Sequence, residues 1–529
     1  MKNLIKGKVI EAVKLAYPDE DLLGFNVEEA GEKFGDYSSN AAMILGKARG
    51  KNPRELAEKL AAELSKNDMF EKVEIAGPGF INFKIALPYL QNKISEIIEA
   101  GDMYGNSDLG KDLKINVEFI SANPTGPLTL GNGRGGYAGD VLANILESFG
   151  AKVEREYYIN DRGVQILALG HSVLRDSEAV YKGSYIDEIA PQIKSKIPEE
   201  AGSEAVTILM EESIKKTIAK MGIKFNRWFR ETDLHKGPVE EILGKLKSDK
   251  LTYEKDGATW LKSTEFGDDK DRVIITKEGE FTYFASDIAY HWDKIRRGYN
   301  ILIDFWGADH HGYVGRMQAA IEILKKEEDW SGELKIMIAQ LVRLMSKGQE
   351  VKMSKRAGTY VTIDELIDEV GPDVTRFFFL ERAMNTHMDF DLDLAKEQSQ
   401  KNPVYYVQYA YARIHSILAK FQSVCSANVK FQINDQNINL LKEDAEKALI
   451  KELIKLPDII IETAEDYQTQ RLPYYATELA NKFHNFYEHC KVISENENLT
   501  AARIELIKAT QIVLKKTLDL MGISAPEKM

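Results

Sequence analysis

Cysteine is almost missing from this 529-residue chain: there are two, Cys425 and Cys490, and no C-x-x-C. That excludes a cysteine-built zinc cluster and suggests a reducing, cytoplasmic setting. Long apolar runs are missing too, and none approaches the ~18 residues that a membrane span needs. The segment Met1–Pro18 mixes lysines and Glu11 into an amphipathic pattern, without an apolar core or a small-residue cleavage site, and does not read as a signal peptide. An excess of basic charge is also lacking. A net charge of −13 argues against a non-specific nucleic-acid binder, while leaving room for an RNA enzyme whose basic groups are local. No internal repeat or low-complexity tract is visible. What is present is a globular composition, 44% hydrophobic and 29% charged, with length for about three or four domains.

The hydrophobic patterning divides the chain into three. Residues 1–110 read as a small α/β unit. Helical spacing over Asn40–Lys47 and Pro53–Leu64 precedes alternating segments at Lys72–Ile75 and Phe80–Ile85, with Gly77-Pro78-Gly79 as a hairpin turn between them. Residues 111–385 read as an α/β core, a Rossmann-like parallel sheet with insertions. A strand at Lys114–Ile120 leads to a helix at Arg134–Phe149 and a second strand near Lys152–Ile159. A polar, helical stretch is expected from about Asp176 to Lys250, as an insertion near 176–260, followed by sheet character at Arg272–Thr276, Phe281–Phe284 and Ile301–Trp306. Residues 386–529 read as an all-α helical bundle. In its last helix Ile504, Ile507, Leu514, Leu518 and Met521 share a face, and Gly522 ends it.

Two short segments carry chemistry. Ala122–Gly133 runs from the first strand into a helix, and Lys352-Met-Ser-Lys-Arg356 is a basic stretch flanked by Gly348 and Gly358. The first can place backbone N–H groups and a positive helix end under a phosphate. The second can set two ammonium groups over a leaving pyrophosphate. Gly131–Gly136 matches G-x-G-x-x-G, but a dinucleotide fingerprint starts almost directly after its strand. Here Gly131 comes eleven positions after Ile120, past Pro124 and Pro127.

Together the segments resemble the paired signatures of class I aminoacyl-tRNA synthetases, and their surroundings resemble the arginyl-tRNA synthetase family over essentially the whole chain. The class signature His-x-Gly-His is replaced by Thr129-Leu-Gly-Asn132, similar to the Thr-x-Gly-Asn of tryptophanyl-tRNA synthetases. A hydroxyl and an amide can each donate to an α-phosphate as it becomes five-coordinate. The lysine segment departs from the family's pattern only at its last residue, Arg356. The resemblance implies catalytic roles for Thr129, Asn132, Lys352 and Lys355. It places ATP on Pro127, Gly131, Asn132, Gly133, Gly307, Asp309 and Met353.

For arginine, the matching family positions imply Asp287 and Tyr283 at the guanidinium. Glu118, Ser121, Asn123 and His310 would stand at the remaining contacts. Tyr283 and Asp287 are four apart and would share a helix face. Two blocks, Phe34–Met43 and Gly77–Phe83, look like the family's N-terminal module for the tRNA elbow. Asn402–Arg413, with four tyrosines, looks like the opening of its anticodon-binding domain. These, with the chain ending, imply tRNA contacts at Phe34, Asn40, Tyr406, Tyr409, Arg413 and Met529.

The implied reaction is arginine activation by ATP and transfer to the 2′-hydroxyl of the terminal adenosine of tRNA(Arg). Mg²⁺ would arrive with ATP, since His310-His311 lacks a third ligand at metal spacing and no protein-held metal is expected. The family resemblance favours a cytoplasmic monomer. Among the alternatives, a cysteinyl enzyme would need zinc ligands that are absent, and a glutamyl enzyme a basic pocket. A non-catalytic tRNA-binding relative is the reading from another class. The two retained lysines and the set of pocket residues speak against it.

Overall fold

Ile115, Asn116, Val117 and Phe119 are fully buried, which places their strand inside a sheet covered on both faces. The computed structural model describes residues 1–20, 22, 24–351, 361–425 and 435–529. Its central sheet has five strands: β5 (Lys114–Glu118), β6 (Lys152–Ile159), β7 (Arg227–Arg230), β11 (Ile301–Gly307) and β12 (Glu333–Ala339). Their order is β12-β11-β5-β6-β7, and every pairing is parallel. Helix α1 (Leu130–Ser148) makes the crossover from β5 to β6, and α2 (Tyr283–Arg296) precedes β11. The carboxyl ends of β5, β6, β7 and β11 therefore share one edge, where open α/β sheets take ligands.

Three smaller sheets surround this one. In the N-terminal region β1 (Val27–Glu29), β2 (Tyr37–Ser39), β3 (Phe70–Ala76) and β4 (Phe80–Ile85) form an antiparallel sheet in the order β1-β2-β4-β3. The β3–β4 turn uses Gly77 and Gly79 at φ +55° and +136°, as the hairpin reading requires. A second sheet joins β8 (Thr252–Lys255), β9 (Ala258–Leu261) and β10 (Arg272–Ile275). In the third, β13 (Val342–Ser346) pairs with β14 (Gln349–Glu350) and with β15 (Met388–Asp391). The C-terminal region is helical and includes α3 (Pro403–Cys425), α4 (Arg471–His489) and α5 (Glu497–Met521). Ile504, Ile507, Leu514, Leu518 and Met521 are buried on α5, and Gly522 follows at φ +66°.

The structure corrects five sequence readings. The first strand stops at Glu118, because Ile120 and Ser121 adopt φ of +68° and +36°. The crossover helix starts at Leu130 rather than Arg134, so Gly131, Asn132 and Gly133 form its first turn. Phe281–Phe284 is not a strand: Thr282 accepts from the Ala285 N–H and starts α2 at Tyr283, a local cap that outweighs the β propensity of the run. The helical stretch expected from Asp176 to Lys250 is interrupted by β7, which extends the main sheet. Beyond Arg382 the chain is not wholly helical either. β15 finds a ladder beside β13, a non-local pairing that periodicity does not reveal.

Candidate functional site

The end of β5 is strained, and the strain is held in place. A β-branched residue at positive φ is uncommon, and two such consecutive non-glycine residues cost of order 1–3 kcal/mol each. The Ser121 Oγ accepts from the Tyr158 N–H at 3.1 Å, and the Tyr157 hydroxyl donates to the Ala122 carbonyl at 3.0 Å. This turn lifts Ser121 and the exposed Asn123 onto the sheet edge beside Glu118.

Further on, Thr129 caps α1 in an unusual way. Both its N–H and its hydroxyl donate to the Asn132 Oδ1 at 2.9 Å. The hydroxyl hydrogen of Thr129 is thus engaged within the cap, and the donor left over is the Asn132 NH₂. The glycines divide their work. Gly131 is exposed, and a Cβ there would find only the Thr129 Oγ1 within 4 Å, at 3.7 Å. Gly133 is buried, and a Cβ there would come within 2.6 Å of the Ile363 Cδ1. Gly133 therefore serves close packing beneath the turn. The segment with Ile363 is also tied on by backbone, its N–H donating to the Leu128 carbonyl at 3.0 Å. Pro127 is half-buried on the same approach. Lys352, Met353 and Lys355 lie outside the described residues.

Helix α2 brings the acidic side of the edge together. Tyr283 is 56% exposed and Asp287 half-buried one turn later. Burial pushes the Asp287 carboxyl up, against the pull of the Tyr313 hydroxyl that donates to it at 2.5 Å. No lysine or arginine among the described residues makes an ion pair with Asp287.

Glu118 has a different environment. The fully buried Lys294 ammonium donates to it at 2.6 Å and to Asp304 at 2.8 Å, and lies 4.4 Å from the Tyr290 ring centroid. His291 joins the cluster, its Nε2 2.9 Å from Asp304 and its Nδ1 2.8 Å from the Asp287 carbonyl. Burial raises both carboxylates. At Asp304, Lys294 and His291 outweigh it and hold the group below its ordinary range. Glu118 thus has one oxygen engaged by Lys294, whereas Asp287 has no such ammonium or guanidinium beside it among the described residues.

Sequence reasoning missed Glu231. It directly follows β7 and is buried, and the Asn160 amide, turned to its hydrogen-bonding orientation, donates to it at 2.7 Å. Burial and then the Asp287 charge push its pKa up to about 7. Below it His235 Nε2 stands 3.1 Å from the Ser286 Oγ, tying this turn to α2. The signal was an acid directly after Arg227–Arg230, but that run was not recognised as a strand of the sheet.

Gly307 ends β11, and Asp309 and His310 follow on the turn Ala308–Tyr313. Their side chains are exposed and 3.5 Å apart, and the Trp306 ring is 6.2 Å from the His310 ring. Among the described residues no group of three His, Cys, Asp or Glu could hold a metal ion. No helix among them is long and apolar enough to cross a membrane.

The residues implied in RNA contact fall into two other parts of the fold. Phe34 is 58% exposed beside β2, while the Asn40 Oδ1 accepts from the Asn26 N–H at 2.7 Å. Across α3 and α4, the Arg413 guanidinium lies 4.9 Å from the Tyr409 ring and 4.8 Å from the Tyr487 ring. It also donates to the Tyr409 hydroxyl. Tyr409 stacks on Tyr405, and Tyr406 packs on His484 at 4.6 Å. Met529 is half exposed at the chain end.

Comparison with known proteins places these regions. Residues 1–85 match the model described as arginyl tRNA synthetase N terminal domain, 193–400 the class I (R) tRNA synthetase catalytic domain, and 407–529 the DALR anticodon binding domain. The chain is 41% identical to the arginine–tRNA ligase of Aquifex aeolicus over 100% of both chains. It is 44% identical to that of Carboxydothermus hydrogenoformans over 98% of this chain and 97% of the relative. The structure of Thermus thermophilus arginyl-tRNA synthetase superposes with a TM-score of 0.77 at 20% identity, covering 100% of both, and bears on the fold alone. The turn from Glu118 to Gly133 lies between the first two family matches and within these full-length alignments.

Proposed function

Because this chain belongs to the arginyl-tRNA synthetases of class I, we propose that it activates L-arginine with ATP and charges tRNA(Arg). The arginine carboxylate attacks the α-phosphorus of ATP, and pyrophosphate leaves with the electrons of the broken bond. A ribose hydroxyl of the terminal adenosine of tRNA(Arg) then attacks the arginyl carbonyl, releasing AMP. Positioning and electrostatics carry both steps, with no protein nucleophile.

The guanidinium lies against Asp287, Glu231 and Tyr283. Ser121, Asn123, His310 and the second oxygen of Glu118 hold the amino and carboxylate ends. ATP lies along Pro127, Gly131, Gly307, Asp309 and Met353, with Asn132 at the α-phosphate and Lys352 and Lys355 at the pyrophosphate. Thr129 acts by holding Asn132. Mg²⁺ comes with ATP and is held mostly by phosphates. The tRNA elbow meets Phe34 and Asn40 in residues 1–110, and the anticodon meets Tyr406, Tyr409, Arg413 and Met529 in residues 386–529, flanking a catalytic domain at 111–385. The enzyme works as a cytoplasmic monomer.

The observation that supports the substrate best is Asp287: a half-buried carboxylate, fixed by Tyr313, with no cation paired to it among the described residues. The test is aminoacylation of total tRNA with each labelled amino acid and Mg-ATP. Charging with arginine alone is expected. Bound tRNA without charging would instead favour a non-catalytic relative.

A further inference from the structure

Arg134 stands on α1 two residues beyond Asn132, and its side chain is fully buried. Among the described residues no carboxylate pairs with it. Its Nη1 instead donates to the Gln340 and Leu341 carbonyls at 3.3 and 3.4 Å, and its Nη2 to the Ala383 carbonyl at 2.7 Å. Its Nε has no hydrogen-bond partner among the described residues. A buried cation met only by neutral carbonyls is costly, and burial alone lowers its pKa to about 10.

The arrangement has a geometric and an electrostatic consequence. The carbonyls belong to the β12–β13 turn and to the residue before Met384, and these are locked together by the Gln340 N–H donating to the Met384 carbonyl at 2.9 Å. One guanidinium therefore ties the first turns of α1 to a fixed corner of the fold. Its charge also adds to the positive end of the helix dipole, where an anion would be most stabilised.

We propose that Arg134 is a positioning residue of the phosphate site: it aims the Asn132 amide, and its unneutralised charge is completed by the anionic phosphates of the substrate. The proposal rests on the reading of Asn132 as the donor to the α-phosphate. A lysine at 134 keeps the charge but cannot span all three carbonyls.

The test is arginine-dependent exchange of labelled pyrophosphate into ATP, with tRNA present, by the full chain, Arg134→Lys, Asn132→Ala and the double variant. Arg134→Lys is expected to lower kcat about 30-fold with the arginine KM held within about twofold. On the Asn132→Ala background the same change is expected to cost no more than about threefold, because its target is gone. A purely structural role would leave kcat per folded active site unchanged. Losses that multiply fully in the double variant overturn the proposal, and so does wild-type turnover in Arg134→Lys. Should Asn132→Ala keep full turnover, the reading of Asn132 fails first and the positioning role falls with it. If Arg134→Lys does not fold, Arg134→Gln enters the same cycle; it also removes the charge, so a reduced loss is expected on the Asn132→Ala background, and losses that multiply fully overturn the aiming role.

Discussion

At one part of the sheet edge α2 presents Asp287, and at another α1 buries Arg134, and among the described residues neither makes an ion pair. Between them Lys294, Asp304 and His291 are matched within the chain, and Glu118 gives one oxygen to Lys294. The difference separates scaffold from site. Where the protein needs rigidity, buried charges are matched within the chain. On the proposed reading, an ion pair is left incomplete where a substrate is to bind.

The largest expected effect tests whether the two ends are separable. Asn132→Ala removes the free donor at the phosphate end and should lower turnover roughly 10²–10³-fold, the usual loss for one transition-state donor. The arginine KM should stay nearly constant in pyrophosphate exchange, and a large rise there would mean the ends are one unit. Asp287→Asn tests the other end. It should raise the arginine KM roughly 10- to 100-fold through loss of a charged partner, with the ATP KM unchanged. Equal rises in both constants would sink the assignment.

The smallest effect is a pH dependence. Glu231 is pushed up to about 7 and Asp287 is raised as well, so on the proposed reading guanidinium binding is coupled to proton release here. Arginine affinity should therefore strengthen a few-fold between about pH 6 and pH 8, and Glu231→Gln should flatten that dependence. The same sign governs the ligand-free fold. Above the ordinary carboxylate range the unfolded chain ionises at Glu231 before the folded chain does. Stability is therefore lost as pH rises to about 7, and the loss then levels off. Titration calorimetry and melting curves read both, and an arginine affinity that is flat with pH would remove Glu231 from the pocket.

Much of this was legible beforehand, and the exceptions share a cause. The β3–β4 hairpin, the α1 crossover and the apolar face of α5 follow from local periodicity and turn chemistry. Tyr283 and Asp287 were recognisable as one face because a four-residue spacing holds on any helix. The start of α1 was misplaced by four residues because Asn132, reaching back to Thr129, nucleates a turn across glycines that propensity disfavours. Gly133 looked like a phosphate glycine, but the space it preserves belongs to Ile363, 230 positions on. Glu231 was missed because its strand is recognised only by its partner β6.

The sequence by itself carried the family resemblance that implies the class of chemistry, through the motifs at Thr129–Asn132, the lysine pair and Tyr283–Asp287. It also determined the broad order of α/β and helical regions, through the period of the apolar residues. Only the tertiary structure decided which charges are spent internally. Lys294 reaches Glu118 across 176 positions, and Arg134 finds carbonyls 206 to 249 positions away. Whether a charge is free for a substrate depends on desolvation and on partners brought close by folding, and neither is written in local spacing.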